Sequence, residues 1–182
     1  MKPAILAIIF CLVPSFKILA QDSTGSTENV EVIRNFKNLF RYQNFYISGQ
    51  PALEELQWLK SQGVTKIINL RSEKEISEYS EYAYDEKDYA QKSGFEYYSI
   101  PVDGSKDYTP EKLEAFSGLL NNNEKILIHC LSAVRATNFF MAYLVKKKGF
   151  TVDKAVKTGK NMNFQFPLEK LLGTGISMAL NE

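Results

Sequence analysis

The chain has 182 residues, a formal net charge of +1 at pH 7, 45% hydrophobic residues and two cysteines. This balance excludes the clustered basic excess that is typical of nucleic-acid-binding proteins. The length is sufficient for one domain with a hydrophobic core after a short N-terminal segment is set aside.

Residues 1–20 have the layout of a secretory signal peptide. Lys2 gives a short basic start, Ala4–Val13 is an unbroken apolar run, and Ala20 is a small residue at a suitable cleavage point. The run is too short to span a bilayer comfortably, and Pro14 follows it. We therefore expect an exported protein, periplasmic or secreted, with no stable membrane insertion after cleavage. An uncleaved membrane anchor is the alternative.

A single folded domain is predicted at 44–182, after a flexible lead at 21–43 that is small and polar at its start. Alternating apolar residues at 45–47 predict a short strand. Leucines at helical spacing predict a helix between Pro51 and Gly63, which have the residue types that favour a helix start and a helix stop.

Two further strands are predicted on either side of an acidic segment. Thr65–Leu70 is a β-branched run suited to a buried strand, and Phe95–Val102 is the next apolar stretch of this kind. Between them, Ser72–Ser93 is acidic and rich in tyrosine, with apolar residues that roughly follow one helical face. We interpret its acidic residues as a solvated face, and a functional acidic patch is the alternative.

The second half of the chain continues the alternation of strands and helices. Thr109 and Pro110 predict the start of a helix, Lys125–His129 a buried strand, and Arg135–Gly149 and Thr151–Gly159 two more helices. This order predicts an α/β fold: a single three-layer domain with a mostly parallel central sheet flanked by helices.

The segment from Cys130 to Arg135 joins a predicted strand to a predicted helix. Backbone N–H groups in such a loop have no helical partner and can converge on an anion, helped by the helix dipole. The same field favours a thiolate at Cys130, and the thiolate is the nucleophilic form. Arg135 offers two parallel donors to an oxyanion. A buried core cysteine is the alternative interpretation.

A thiolate that attacks phosphorus expels an alkoxide or phenoxide, which needs a proton from a general acid. Asp103 directly follows a predicted strand, at the sheet edge where we expect Cys130, and it is the preferred candidate. Asp107 is the alternative, and loop capping is a structural role open to both. His129 is interpreted as a buried residue that orients the loop, not as a general base. Cys11 lies in the predicted signal peptide, so the mature chain has His129 as its only histidine and Cys130 as its only thiol, which do not make a usual zinc site, and we predict no metal site. We also expect no cofactor.

The stretches FYISGQP, KIINLR, YYSIPVD and ILIHCLSAVRA occur in this order between residues 44 and 159. In this the chain resembles the phosphatase-like domain of beta-lactamase-hydrolase-like proteins, which is related to dual-specificity protein tyrosine phosphatases. The resemblance implies a cysteine-phosphatase-like fold and a cysteine-dependent phosphatase that acts on phosphate esters through a phosphocysteine intermediate. The implied catalytic residues are Cys130, Arg135 and Asp103.

The resemblance also places Arg71 at a strand end near the catalytic edge, where it would steady the loop or meet substrate. A structural salt bridge with Glu73 or Glu75 is the alternative, and Gln50 is a further candidate for the pocket wall. The predicted substrate-binding residues are Leu131, Ser132, Ala133, Val134 and Arg71.

The loop departs from the pattern of authentic tyrosine phosphatases. Four residues, not five, separate Cys130 from Arg135, the arginine is followed by Ala136 and not by a hydroxyl residue, and Ala133 stands where relatives have glycine. Four is also the spacing of rhodaneses, which carry a persulfide on that cysteine. The alternatives are therefore a rhodanese-like sulfurtransferase or persulfide-handling protein, and a catalytically weak anion- or protein-binding module. We expect a monomer that takes a phosphorylated or other oxyanionic substrate and no nucleic acid.

Overall fold

The computed structural model describes residues 30–78, 84–165 and 168–173, so the predicted signal peptide lies outside the described residues. The described part contains six strands: β1 (Glu31–Val32), β2 (Leu39–Tyr42), β3 (Phe45–Ser48), β4 (Val64–Asn69), β5 (Glu96–Ser99) and β6 (Lys125–His129). It also contains seven α-helices: α1 (Leu53–Ser61), α2 (Glu73–Glu78), α3 (Glu86–Lys92), α4 (Pro110–Gly118), α5 (Val134–Lys148), α6 (Val152–Gly159) and α7 (Leu168–Leu172).

The six strands form one mixed sheet in the order β1-β2-β3-β6-β4-β5. The pairs β3–β6, β6–β4 and β4–β5 are parallel, whereas β1–β2 and β2–β3 are antiparallel. The predicted α/β fold with a mostly parallel central sheet is confirmed. Strand β6 lies between β3 and β4, so its carboxyl end opens at the centre of the sheet, where parallel α/β sheets usually bind ligands.

The sheet begins before the boundary that we expected at residue 44. Strand β2 pairs with β3 from Leu39↔Ser48 to Tyr42↔Phe45, and Leu39 is fully buried, so this part of the predicted lead belongs to the fold. The two strands are joined by a tight turn in which Gln43 has φ 54°. The turn lacks the Asn-Gly or Asp-Gly sequence that usually reveals such a hairpin, which explains why the strand was missed.

The predicted helix boundaries are confirmed by their caps. Thr109 Oγ1 accepts a hydrogen bond from the backbone N–H of Lys112 at the start of α4, and Thr151 Oγ1 accepts one from Lys154 at the start of α6. Helix α5 ends at Gly149, whose φ of 71° lies in the left-handed region that glycine adopts without strain.

Two hydrophobic cores lie on the two faces of the sheet. Ile126 and Ile128 of β6 belong to the core that contains α4, α5, α6 and α7. Leu127, between them, belongs to the core that contains α1 and α3, because successive side chains of a strand point to opposite faces. This gives the three layers that the sequence predicted. Within the described residues no helix is long and apolar enough to cross a membrane.

Candidate active site

The loop that follows β6 is anchored at both ends by regular structure. Cys130 directly follows β6, its backbone N–H donates to the carbonyl of Ser48 at 3.4 Å, and α5 begins at Val134. Parallel pairing with β3 and β4 fixes the position of this strand end. The structure thus brings the predicted nucleophile to the junction of strand and helix that the sequence indicated.

Three successive carbonyl oxygens of this loop have a polar neighbour, which is the adjacent His129 for the first and a donor on another segment for the other two. The Cys130 oxygen lies 3.4 Å from His129 Nδ1. The Leu131 oxygen accepts a hydrogen bond from the backbone N–H of Gln50 at 3.0 Å. The Ser132 oxygen accepts one from Asn163 Nδ2 at 3.3 Å.

These outward carbonyls determine where the loop N–H groups point. In a planar trans peptide the C=O and the following N–H have opposite directions. The N–H groups of Leu131 and Ser132 therefore point to the inner side of the loop, and neither finds an acceptor within the described part of the chain. Such a pair of unpaired backbone donors next to a helix N-terminus can bind an oxyanion.

Ala133 makes the turn from the loop into α5 in an unusual conformation. It is fully buried and has φ 70°, in the left-handed region that a Cβ atom disfavours. The cost for a residue other than glycine is about 1–2 kcal/mol. Glycine would adopt this φ without strain, and the strain remains because alanine occupies the position.

Arg135, on the first turn of α5, is held by a carboxylate and by main-chain carbonyls. Its NH1 and NH2 atoms each lie 2.6 Å from an oxygen of Glu75, and NH1 also donates to the carbonyl of Val102 at 2.8 Å. Burial by itself lowers the pKa of Arg135, but pairing with Glu75 and the influence of the nearby Cys130 thiol outweigh burial and raise it. Glu75 takes the two terminal nitrogens, and Nε has no carboxylate partner among the described residues.

The ion pair determines the protonation of Glu75. Burial by itself raises the pKa of this carboxyl, but hydrogen bonds from Arg135 and from the backbone of Ser72 outweigh burial and lower it below its ordinary value. Ser72 and Glu75 also form a reciprocal capping pair at the start of α2. Glu75 is therefore ionised and fixed in place at neutral pH.

A cavity of about 630 Å³ opens beside the loop. Leu131, Ser132, Val134 and Arg135 line it on the loop side, and Asp103 lines it from the segment after β5. The same cavity is thus lined by four of the predicted loop residues and by the predicted acid, Asp103. The predicted residues Cys130, Ala133 and Arg71 do not line it.

Cys130 is fully buried in this structure. It does not line the cavity, whereas the next two residues of the loop, Leu131 and Ser132, do. The burial agrees with the alternative interpretation of a core cysteine.

The two candidate acids are in different environments. The Asp103 carboxylate is 61% exposed, lines the cavity and pairs with Lys106. The Asp107 carboxylate accepts a hydrogen bond from the backbone N–H of Asp103 at 2.7 Å and lies 3.0 Å from Lys112 Nζ. These contacts lower the pKa of Asp107. Asp107 therefore has the structural capping role, and the geometry favours Asp103 as the proton donor.

Arg71 is placed away from the cavity. It is 5% exposed, and its NH2 lies 3.9 Å from Glu86 Oε2. This placement gives no support to a substrate contact, and the salt bridge is with Glu86 and not with Glu73 or Glu75. Gln50, also considered for the pocket wall, lies outside the cavity lining and donates to Glu86 Oε2 at 3.0 Å.

The interpretation of the acidic segment as a solvated face is wrong for two of its residues. Glu75 binds Arg135, and Glu86 is 6% exposed and lies 2.7 Å from His129 Nε2. The spacing of Ser72 and Glu75 is a sequence signal for the start of α2. Nothing in the sequence, however, predicts a distant partner for the Glu75 or the Glu86 carboxylate.

Two other residues of the cavity wall were not predicted. Tyr108 and Gln165 line the cavity. They meet through Asn138 on α5, which donates to the Tyr108 hydroxyl at 3.1 Å and accepts from the backbone N–H of Gln165 at 3.1 Å. Gln165 follows α6 in an irregular segment, so no periodic pattern pointed to it. In the part of the chain that the structure describes, no group of three or more His, Cys, Asp and Glu side chains could hold a metal ion.

Comparison with known families gives a match over most of the chain. A family model described as a DSP-PTPase phosphatase fused to NAD⁺ kinase matches residues 13–169. The predicted relationship to dual-specificity phosphatases is thereby confirmed, although this family has a different name from the beta-lactamase-hydrolase-like group. A search of curated protein sequences finds no match.

Solved structures with the same fold include three that have phosphatase names. A Shewanella putrefaciens CN-32 protein, named as a candidate phosphatase (DUF442), is 27% identical with a TM-score of 0.57, over 77% of this chain and 91% of that one. Pseudomonas aeruginosa TpbA (C132S) in complex with pTyr is 15% identical with a TM-score of 0.59, over 75% and 80%. The core catalytic domain of the PP-IP phosphatase SIW14 from Saccharomyces cerevisiae, in complex with citrate, is 18% identical with a TM-score of 0.57, over 72% and 78%.

Proposed function

This chain belongs to the DSP-PTPase phosphatase family, and we propose that it hydrolyses phosphate monoesters through a phosphocysteine intermediate on Cys130. The observation that carries the proposal is the inward direction of the unpaired N–H groups of Leu131 and Ser132 beside the Arg135 guanidinium. These donors suit the equatorial oxygens of a phosphoryl group in transfer, where positioning and charge stabilisation supply most of the catalysis.

In the first step the Cys130 thiolate attacks phosphorus. The sulfur–phosphorus bond forms and the ester oxygen–phosphorus bond breaks, and Asp103 donates its proton to the departing oxygen. The Nε edge of Arg135 and the two loop N–H groups bind the oxygens of the transferring group. Because Cys130 is fully buried and does not line the cavity, the attack requires a movement that exposes the sulfur.

In the second step water attacks the phosphocysteine. The Asp103 carboxylate takes a proton from the water, the phosphorus–sulfur bond breaks, and the thiolate leaves with its electron pair as inorganic phosphate forms. The enzyme is thus returned to its starting state without a cofactor or a second co-substrate. The oxyanion donors serve both steps because the phosphoryl group stays over the loop.

The test is a pair of assays on the reduced protein: phosphate release from p-nitrophenyl phosphate and thiosulfate sulfurtransfer. We expect phosphate release that depends on Cys130. The four-residue spacing between Cys130 and Arg135 is the feature that favours the alternative, a rhodanese-like sulfurtransferase. Sulfurtransfer without phosphate release would support that alternative, and binding of phosphate without either activity would support an anion-binding module.

We also propose that the protein is exported to the periplasm or outside the cell and acts there as a monomer on a phosphorylated or other oxyanionic substrate. The support for export is the basic start, apolar run and small residue of 1–20. Mass spectrometry of the protein from its native cells should find a mature chain that begins at Gln21. Recovery of a chain that still begins at Met1, or its stable retention in membranes, would contradict export.

A further inference from the structure

The buried Glu86 carboxylate contacts His129 and Gln50, two residues that lie next to carbonyl oxygens of the catalytic loop. Glu86 Oε1 lies 2.7 Å from His129 Nε2, and Glu86 Oε2 accepts a hydrogen bond from Gln50 Nε2 at 3.0 Å. We propose that Glu86 is a positioning residue, which acts through His129 and Gln50 to aim the N–H groups of Leu131 and Ser132 at the oxyanion. This inference rests on the proposed function of the loop.

The first connection passes through His129. Its Nε2 faces Glu86 and its Nδ1 lies 3.4 Å from the carbonyl oxygen of Cys130. Both neighbours are acceptor oxygens, so each ring nitrogen that bears a proton can donate towards one of them. Glu86 is the carboxylate that faces this fully buried ring. The 2.7 Å contact with Nε2 does not have the geometry of a hydrogen bond.

The second connection passes through Gln50, whose side chain donates to Glu86 and whose backbone N–H donates to the Leu131 carbonyl at 3.0 Å. The chain is tightly packed at this point, because a Cβ atom on Gly49 would lie 3.1 Å from the Leu131 oxygen. A contact that fixes the Gln50 side chain therefore also limits the movement of its backbone against the loop.

The charges around Glu86 favour its ionised form. Burial by itself raises its pKa, but His129, Gln50 and Arg71 together outweigh burial and lower it. Arg71 NH2 lies 3.9 Å from Glu86 Oε2, so this oxygen has a cationic neighbour, and Oε1 faces the His129 ring. An amide at this position would keep the shape and lose the negative charge that faces both side chains.

The consequence concerns two consecutive peptide groups. Glu86 acts on the Cys130 carbonyl through His129 and on the Leu131 carbonyl through Gln50. The N–H groups opposite these carbonyls are those proposed to bind the transferring phosphoryl group. Without Glu86, both peptide planes gain freedom to rotate, and the donors lose the fixed direction on which electrostatic preorganisation depends.

The experiment compares Glu86→Gln with wild type in two measurements: the dissociation constant of inorganic phosphate by calorimetry, and kcat/KM for p-nitrophenyl phosphate. The matched control is Glu124→Gln, which removes the carboxylate that lies 2.6 Å from Lys66 Nζ, at the other end of the sheet. We expect Glu86→Gln to weaken phosphate binding about tenfold, equivalent to about 1.4 kcal/mol, and the control to match wild type. In a His129→Asn background the same substitution should have a smaller effect, because only the connection through Gln50 remains.

If Glu86→Gln lowers only the melting temperature and leaves phosphate affinity and kcat/KM unchanged, Glu86 is a structural residue and the inference is overturned. Phosphate binding without turnover in the wild type would contradict the proposed function alone. Absence of phosphate binding in the wild type would overturn both. Should Glu86→Gln fail to fold, Gln50→Ala decides: we expect affinity to fall about threefold, and unchanged affinity overturns the inference.

Discussion

Glu75 and Arg135 form a bidentate ion pair across the mouth of the candidate site, with both nitrogen–oxygen distances at 2.6 Å. Glu75 lies on α2 and Arg135 on α5, so the pair ties the segment after β4 to the helix that begins at the catalytic loop. The arrangement fixes the arginine before any substrate binds.

Glu75→Gln should therefore lower the free energy of unfolding at pH 7 by about 1.5–3 kcal/mol, the range for hydrogen bonds to charged groups. The pKa of Glu75 is lowered in the folded protein, so the stability that the pair contributes is present above the ordinary value of 4.5 and is lost as pH falls through the lowered value. Urea unfolding at pH 7 and pH 3 measures this. A difference between variant and wild type that is the same at both pH values would contradict the ion-pair origin.

Asp103→Asn should slow the hydrolysis of esters with poor leaving groups far more than that of p-nitrophenyl phosphate, because a good leaving group needs little protonation. Asp107→Asn is the matched control. It should lower stability, because the Asp107 carboxylate accepts from the backbone of Asp103 and pairs with Lys112, and it should not change the dependence on leaving group. Equal slowing of both ester classes by Asp103→Asn would remove this residue from the role of acid.

Cys130→Ser should abolish turnover, because an alkoxide is not formed at neutral pH without a base, and should leave the fold and phosphate binding largely intact. Arg135→Ala should weaken phosphate binding by about 1.5–3 kcal/mol, and Arg135→Lys should not restore it, because a point charge does not copy the planar fork. Calorimetric titration with phosphate and circular dichroism of each variant check these outcomes. Residual turnover in Cys130→Ser equal to wild type would exclude a phosphocysteine.

Glu55 is a buried carboxyl on α1 whose pKa is raised to about 7 by burial, against smaller opposing hydrogen bonds from Ser48 and Ala52. The folded protein therefore holds this proton where the unfolded chain releases it, and stability falls as pH rises from about 4.5 to about 7. Glu55→Gln should remove this loss and be more stable than wild type above pH 7, by about 1–3 kcal/mol. Denaturant unfolding from pH 5 to pH 9 tests it. A pH-independent difference between the two proteins would contradict the raised value.

Ala133→Gly should relieve the left-handed backbone at φ 70°. The gain of about 1–2 kcal/mol from removing the Cβ clash is partly offset by the greater freedom of glycine in the unfolded chain, about 0.4–1 kcal/mol, so a net stabilisation of up to about 1.5 kcal/mol is expected. Thermal and denaturant unfolding measure it. The matched control is Ala136→Gly within α5, which should destabilise by about 1 kcal/mol, because its backbone is helical. Destabilisation in both variants would show that the loop does not strain Ala133.

The sequence by itself determined the local elements and their order. Period-two and helical patterns, caps at Thr109 and Thr151, and the glycine stop at Gly149 depend on neighbours within a few residues of one another, and the structure confirms them. The same short range made Cys130 and Arg135 visible as a pair, because only the four residues of one loop separate them.

Only the tertiary structure decided which distant groups meet at that loop. Glu75 reaches Arg135 over 60 positions, and Glu86 reaches His129 although both belong to segments with no shared pattern. A charged residue has the same sequence signature whether it faces water or a buried partner, since the energy that distinguishes the two comes from desolvation and pairing in the folded state. The burial of the Cys130 side chain was likewise decided by tertiary packing, since it lies in one core with residues of β3 and α5 that no local periodicity connects to it.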